Sequence, residues 1–181
     1  MKQKKRTYGK ILLPVTLAAA LLSLTACGSG DSANTSTIAS ITNEASVTAS
    51  TVNGEVPYTF FDDTVFVGDS VSLKLNLYVS AQRKMDSTFM GTAQFLTPGS
   101  YGTGNELKEL GSENSVHPSY NGTEMYLADA IEAMGAKKVF IMLGMNDIAV
   151  YGNDGAVKNM ETVLAQIKEK NPDTAIYVQS M

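Results

Sequence analysis

The chain has 181 residues, of which 14 are Lys or Arg and 18 are Asp or Glu, with one His and one Cys. A single cysteine excludes an internal disulfide and a single histidine excludes the Cys/His clusters that hold zinc, so the fold must rest on an apolar core. The acidic balance, net −4 at pH 7, argues against nucleic acid as a partner.

Lys2, Lys4, Lys5, Arg6 and Lys10 precede an apolar run over 11–24 that leads into Leu24-Thr25-Ala26-Cys27. A positive start, a short apolar stretch and small residues at its end describe an export signal, and the run is short for a membrane span of about 20 residues. Leu-Thr-Ala-Cys resembles a bacterial lipobox. That resemblance implies that Cys27 receives a diacylglyceryl group, becomes the new N-terminus and anchors the exported chain to the outer face of the cytoplasmic membrane. Two or three acyl chains are enough for stable anchoring. An ordinary signal peptide with an incidental cysteine is the alternative. All the acidic residues follow Cys27, where nine basic residues face 18 acidic ones for a net charge of −9. A surface of that sign does not adhere to anionic lipid. Residues 28–59 begin as Ser, Thr, Ala, Asn and Gly with scattered Ile and Val, lack periodicity, and read as a flexible tether.

From about residue 60, strand-like and helix-like segments alternate, the signature of an α/β layer fold. Thr64-Val65-Phe66-Val67-Gly68 predicts a buried strand, and the pattern after it predicts a helix over 71–83 with Leu73, Leu77 and Ala81 on its inner side. A weaker strand is expected within 88–96, and 98–105 reads as a loop. The glycines at 99, 102 and 104 do not fit a dinucleotide fingerprint, which needs a strand before them and a helix opening on them. A short helix is expected around 106–110 and an extended segment at 116–120, where His117 precedes a proline. Thr123 is the expected N-cap of a helix over 124–134, with Met125, Leu127, Ala128, Ile131 and Met134 as its buried stripe and Gly135 closing it. Residues 137–143 predict the central strand. A helix over 156–170 follows, with Val157, Met160, Leu164 and Ile167 facing inward, and 174–179 predicts a fourth strand.

The first strand hands over to the first helix at Gly68-Asp69-Ser70. Such a corner, at the carboxyl end of a parallel strand, turns a hydroxyl out of the sheet and sets its N–H at a helix N-terminus, where negative charge is favoured. A serine nucleophile needs both; the competing role for Ser70 is a simple N-cap. The central strand ends in Gly144-Met145-Asn146-Asp147 and delivers a side-chain amide to the same edge, unless Asn146 only forms an Asx-turn.

With both segments in view, the chain resembles the SGNH (GDSL-type) hydrolases over roughly 60–181. The resemblance implies a flavodoxin-like three-layer α/β/α fold on a parallel sheet of order 2-1-3-4-5, and an esterase with a Ser/Asp/His triad. Gly68-Asp69-Ser70 matches the first family block, and Gly144-Met145-Asn146-Asp147 matches the third, Gly-x-Asn-Asp. The second block is a lone loop glycine, assigned to Gly99 with Gly91 and Gly102 as rivals. On this resemblance Ser70 attacks an ester carbonyl, and the N–H of Ser70, the N–H of Gly99 and the Asn146 amide hold the oxyanion, without metal or cofactor. Asp69 and Asp147 are expected to cap backbone N–H groups.

The fourth block, Asp-x-x-His, has no counterpart. The fifth strand and last helix are therefore expected to be missing and the chain as it stands inactive. His117, the sole imidazole, precedes the third block, whereas the family's base follows it; a solvent-facing or locally hydrogen-bonded loop residue is expected instead of a substitute base. Tyr101 and Tyr120 either line a pocket or pack.

The expected organisation is a lipoprotein signal at 1–27, a tether at 28–59 and a hydrolase domain at 60–181. The expected partners are the membrane, through lipid on Cys27, and a small ester or O-acylated envelope glycan as substrate. The glycan is inferred from location, since no specificity pocket is legible. A surface lipoprotein that only binds glycan or protein on this scaffold is the alternative, and acyl transfer is a third.

Overall fold

A computed structural model describes residues 55–180; Cys27, the expected lipidation site, and nearly all of the expected tether lie outside them. In chain order the elements are a 3-10 turn (Tyr58–Phe61), β1 (Thr64–Gly68), α1 (Ser70–Gln82), β2 (Gln94–Leu96), α2 (Thr103–Glu106), β3 (Ser119–Tyr120), β4 (Thr123–Glu124), α3 (Leu127–Ala133), β5 (Lys138–Met142), α4 (Met145–Lys170) and β6 (Ala175–Val178). Tyr58 packs edge-on against Phe89, with ring centroids 5.0 Å apart, so the packed part begins just before residue 60.

The β-branched runs form the middle of a four-stranded sheet, β2-β1-β5-β6, with every pairing parallel. Counted along the chain, these strands lie in the order 2-1-3-4. The two-residue period of a strand sends alternate side chains to opposite faces. On one face Val65, Val67, Val139 and Ile141 pack with Leu127 and Ile131 of α3 and Val163 and Ile167 of α4 in a single core. On the other face one aromatic ladder crosses all four strands. Phe95, Phe66, Phe140 and Tyr177 occupy paired register positions and stack at centroid separations of 5.3, 5.2 and 4.7 Å. Each such pair adds about 0.5–1.5 kcal/mol beyond burial. The two remaining short strands, β3 and β4, form an antiparallel hairpin. Asn121 and Gly122 at its turn have φ of 50° and 79°, a backbone that Asn-Gly adopts readily and that matches the strand twist.

Helix α1 is not packed by the expected stripe. Leu73 is half-buried, but Leu77 is 62% exposed and Ala81 is also outside, while Ser72 and Val79 are buried and Asn76 and Arg83 half-buried. Polar bonds decide this. Asn76 donates to the Thr97 hydroxyl, and the Arg83 guanidinium donates to the carbonyls of Phe89, Gly91 and Ala93 at 3.0, 3.0 and 2.9 Å.

Three further expectations are corrected. Thr123 belongs to β4, and α3 starts only at Leu127, whose N–H bonds to the Glu106 carboxylate at 2.6 Å. The stretch read as loop at 98–105 already contains the first residues of α2. Helix α4 starts at Met145 and breaks at Gly152 (φ 67°, ψ 178°), and its buried residues include Ala156, Val163 and Ile167, with Val157 turned outward at 58% exposure. Gly135 does close α3 at positive φ. Among the described residues no helix is long and apolar enough to cross a membrane.

Candidate active site

The site is built where β1 and β5 end. Gly68 pairs with Met142 in the parallel register, so the turns that follow both strands emerge at one edge of the sheet. Gly68 leaves no room for a side chain: a Cβ there would run into Ser72 of α1 and come within 3.0 Å of the Met142 carbonyl. That closeness sets the start of α1 hard against the strand end. Asp69 is the N-cap; its Oδ1 accepts the Val71 N–H at 2.8 Å. Ser70 is then the first helical residue and is exposed, with its N–H in the turn where no intrahelical acceptor exists.

On the neighbouring strand, Gly144 takes φ 130° and turns the chain into α4. The Asn146 Nδ2 donates to the Tyr101 carbonyl at 2.8 Å and faces the second Asp69 oxygen at 3.3 Å. Asn146 thus forms no local Asx-turn. It ties the Gly-Asp-Ser corner, the β5 corner and the loop at Tyr101 together. An amide has two N–H groups; one makes the short bond to Tyr101, and the long contact to Asp69 is the one a bound oxyanion could replace. Asp147, 2% exposed, accepts the N–H of Thr103 at 2.9 Å and of Gly104 at 2.7 Å, capping α2 across the chain.

The three candidate glycines differ in their surroundings. Gly99 is exposed and has nothing within 4 Å of the place a Cβ would take. Gly91 lies against Asp62 and the Tyr58 carbonyl, at the 3-10 turn. Gly102, next to Tyr101, is buried under Asp147, and a Cβ there would stand 2.9 Å from both carboxylate oxygens. Gly102 is therefore packed against the β5 turn through Asp147, while Gly99 stands in open space.

Behind Tyr101 lies a buried polar cluster that motif reading missed. The Tyr101 hydroxyl donates to Glu106 Oε2 at 2.8 Å, the other Glu106 oxygen holds the Leu127 N–H, and His117 Nδ1 lies 3.3 Å from Oε2. Tyr101, Glu106 and His117 are 0%, 2% and 4% exposed. Burial pushes the Glu106 carboxyl above its ordinary range, partly offset by the Leu127 N–H, the Tyr101 hydroxyl and His117. Burial first, then the Glu106 charge, holds the Tyr101 phenol well above its usual value, so it stays a donor. His117 is thus not solvent-facing, and its partner is 11 residues away. Its Nε2 is buried without a partner, and no hydrogen bond joins it to Ser70 among the described residues. The only signal available in the sequence was a Glu within reach of the sole His, which spacing alone does not interpret.

No cluster of three metal-ligating side chains occurs among the described residues. Comparison with family models, with curated proteins and with solved structures finds no match for this chain.

Proposed function

We propose that this corner is the acyl-transfer site of an SGNH-type ester hydrolase, with Ser70 as nucleophile. The carrying observation is the 3.3 Å approach of Asn146 Nδ2 to Asp69, a contact between the amide of one motif and the residue that precedes the serine of the other. The sheet order supports the reading, since 2-1-3-4 matches the first four strands of a flavodoxin-like sheet. The oxyanion donors in this reading are the N–H of Ser70, the Asn146 amide and the N–H of Gly102, preferred to Gly99 because Gly102 packs against Asp147, next to Asn146.

A serine needs a base, and His117 does not serve: it is buried on Glu106. The family draws its base and acid from an Asp-x-x-His block, which residues 1–181 do not supply. With the oxyanion hole alone, damaged triads keep only about a thousand- to ten-thousandfold over water. Added imidazole is therefore the probe of choice, because it provides the missing base from solution. Hydrolysis of p-nitrophenyl acetate should rise with imidazole above the buffer reaction, and Ser70→Ala should abolish the excess. Asn146→Ala should lower it about a hundred- to a thousandfold. Equal rates for wild type and Ser70→Ala at every imidazole concentration reject the hydrolase. They favour the second reading, a surface protein that binds glycan or protein on this scaffold.

The reading includes an anchor at Cys27. Expressed in a bacterium, the chain should incorporate labelled fatty acid and sediment with membranes, and Cys27→Ser should lose the label. Label persisting in that variant rejects the anchor. An O-acylated envelope glycan is the substrate that such a location brings within reach.

A further inference from the structure

We infer that Tyr101 and Glu106, supported by His117, are positioning residues for the Asn146 amide, a role that rests on the hydrolase reading for its catalytic meaning. Asn146 donates to the Tyr101 carbonyl at 2.8 Å, and this bond fixes where its other N–H points. Tyr101 cannot drift, because its ring is fully buried and its hydroxyl is held by Glu106 at 2.8 Å. Glu106 in turn is fixed by the Leu127 N–H at the start of α3 and faces His117 Nδ1 at 3.3 Å. When Glu106 is ionised it only accepts, and the proton of this contact then sits on Nδ1.

The network thus links the candidate oxyanion donor to the start of α3. Asp147 also fastens Thr103 and Gly104, so the residues that follow Tyr101 are held as well. A donor aimed at developing charge is effective only when it is oriented before the reaction. A buried network with every charged member bonded provides such rigidity. The cost is visible in His117 Nε2, buried without a partner, which is tolerable for a lone pair in return for the Nδ1–H bond to Glu106.

The test reads Asn146 directly. Its side-chain amide resonances are assigned by their loss in Asn146→Asp, and their exchange with solvent is measured in wild type, Tyr101→Phe and Glu106→Gln. Val163→Ala, a core change on α4, serves as a control for general loosening. Tyr101→Phe removes one oxygen and should speed exchange of the Asn146 amide by at least about fivefold, the factor that one hydrogen bond represents, with a changed resonance position. Val163→Ala should leave that resonance in place. Should Tyr101→Phe fold poorly, the isosteric Glu106→Gln carries the same expectation. In the imidazole-supported assay both variants should lower kcat by about five- to tenfold with KM unchanged. Unaltered Asn146 resonances and exchange in the two variants, with a loss of stability like that of Val163→Ala, would overturn the inference and leave the cluster purely structural. If wild type shows no Ser70-dependent hydrolysis, the hydrolase reading fails, and the amide exchange alone decides the positioning role.

Discussion

The carboxylate of Asp147 holds the backbone N–H of Thr103 at 2.9 Å, and its second oxygen takes Gly104 at 2.7 Å. A residue at the start of α4 therefore caps α2, and the Tyr101 loop hangs from that cap. Charge-assisted bonds to buried N–H groups are among the stronger ones, and removing the acceptor leaves the donors without a partner. Asp147→Ala should cost about 2–4 kcal/mol in urea unfolding. Asp147→Asn keeps one acceptor oxygen and should lose roughly half as much. A loss below about 1 kcal/mol for the alanine variant would show that the cap contributes little.

The glycines give a sharper discrimination, because backbone angle is not the issue. Gly102 is extended, with φ −155°, a conformation open to any residue; what forbids a side chain is the Asp147 carboxylate. Gly102→Ala should displace that carboxylate, cost about 1–3 kcal/mol and depress the imidazole-supported rate. Gly99→Ala meets open space and should stay within about 0.5 kcal/mol of wild type with its rate intact. If the rate instead falls with Gly99→Ala and survives Gly102→Ala, the assignment made from the family motif is restored.

The contrast shows which parts of the fold were legible. Val65-Phe66-Val67 and Val139-Phe140-Ile141 read as buried strands because a strand covered on both faces leaves a nearly continuous apolar run. Gly68-Asp69-Ser70 and Asn146-Asp147 then fell at the ends of those strands without further help. The inner face of α1 did not read, because hydropathy ranks Leu77 above Arg83 and knows nothing of the carbonyls between Phe89 and Ala93 that Arg83 must satisfy. The cap of α3 was lost for a similar reason. Thr123 has the right chemistry locally, yet the Leu127 N–H is served by Glu106, 21 residues earlier. Gly102 was one of three candidate glycines and Glu106 was not singled out, because their contacts to Asp147, Tyr101 and His117 are not revealed by chain order.

Arg83 provides a test of that same point. One guanidinium serves the carbonyls of Phe89, Gly91 and Ala93, and a planar fork does this where a single ammonium cannot. Arg83→Lys should therefore fail to rescue Arg83→Ala. Both should destabilise the chain, the alanine variant by about 2–4 kcal/mol, and both should speed chymotryptic cleavage at Phe89, whose ring packs on Tyr58 and Tyr78. Cleavage unchanged from wild type would mean that aromatic packing alone orders the loop.

Glu106 gives the stability of the chain a pH dependence of definite sign. Burial is the largest influence on its carboxyl and raises its pKa above the ordinary 4.5, with the bonds from Leu127, Tyr101 and His117 acting against it. The folded state therefore holds the Glu106 proton more tightly than the unfolded chain does. Its contribution to stability is fully present below the ordinary value and is lost as the pH rises through the raised one. Glu106→Gln has no charge to bury. The variant loses one acceptor oxygen, which lowers its stability by an amount independent of pH, so the informative quantity is the slope. The difference in Tm, variant minus wild type, should rise with pH between about pH 4 and pH 7 and flatten above the raised value. Asp129, Glu169 and Lys170, which line the cavity of about 490 Å³ beside Glu106, and Asp147 beyond Tyr101 are the same in both proteins, so their contributions largely cancel. A difference that falls as pH rises would mean that the three hydrogen-bonding partners outweigh burial and that the ionised carboxylate is the stabilising form.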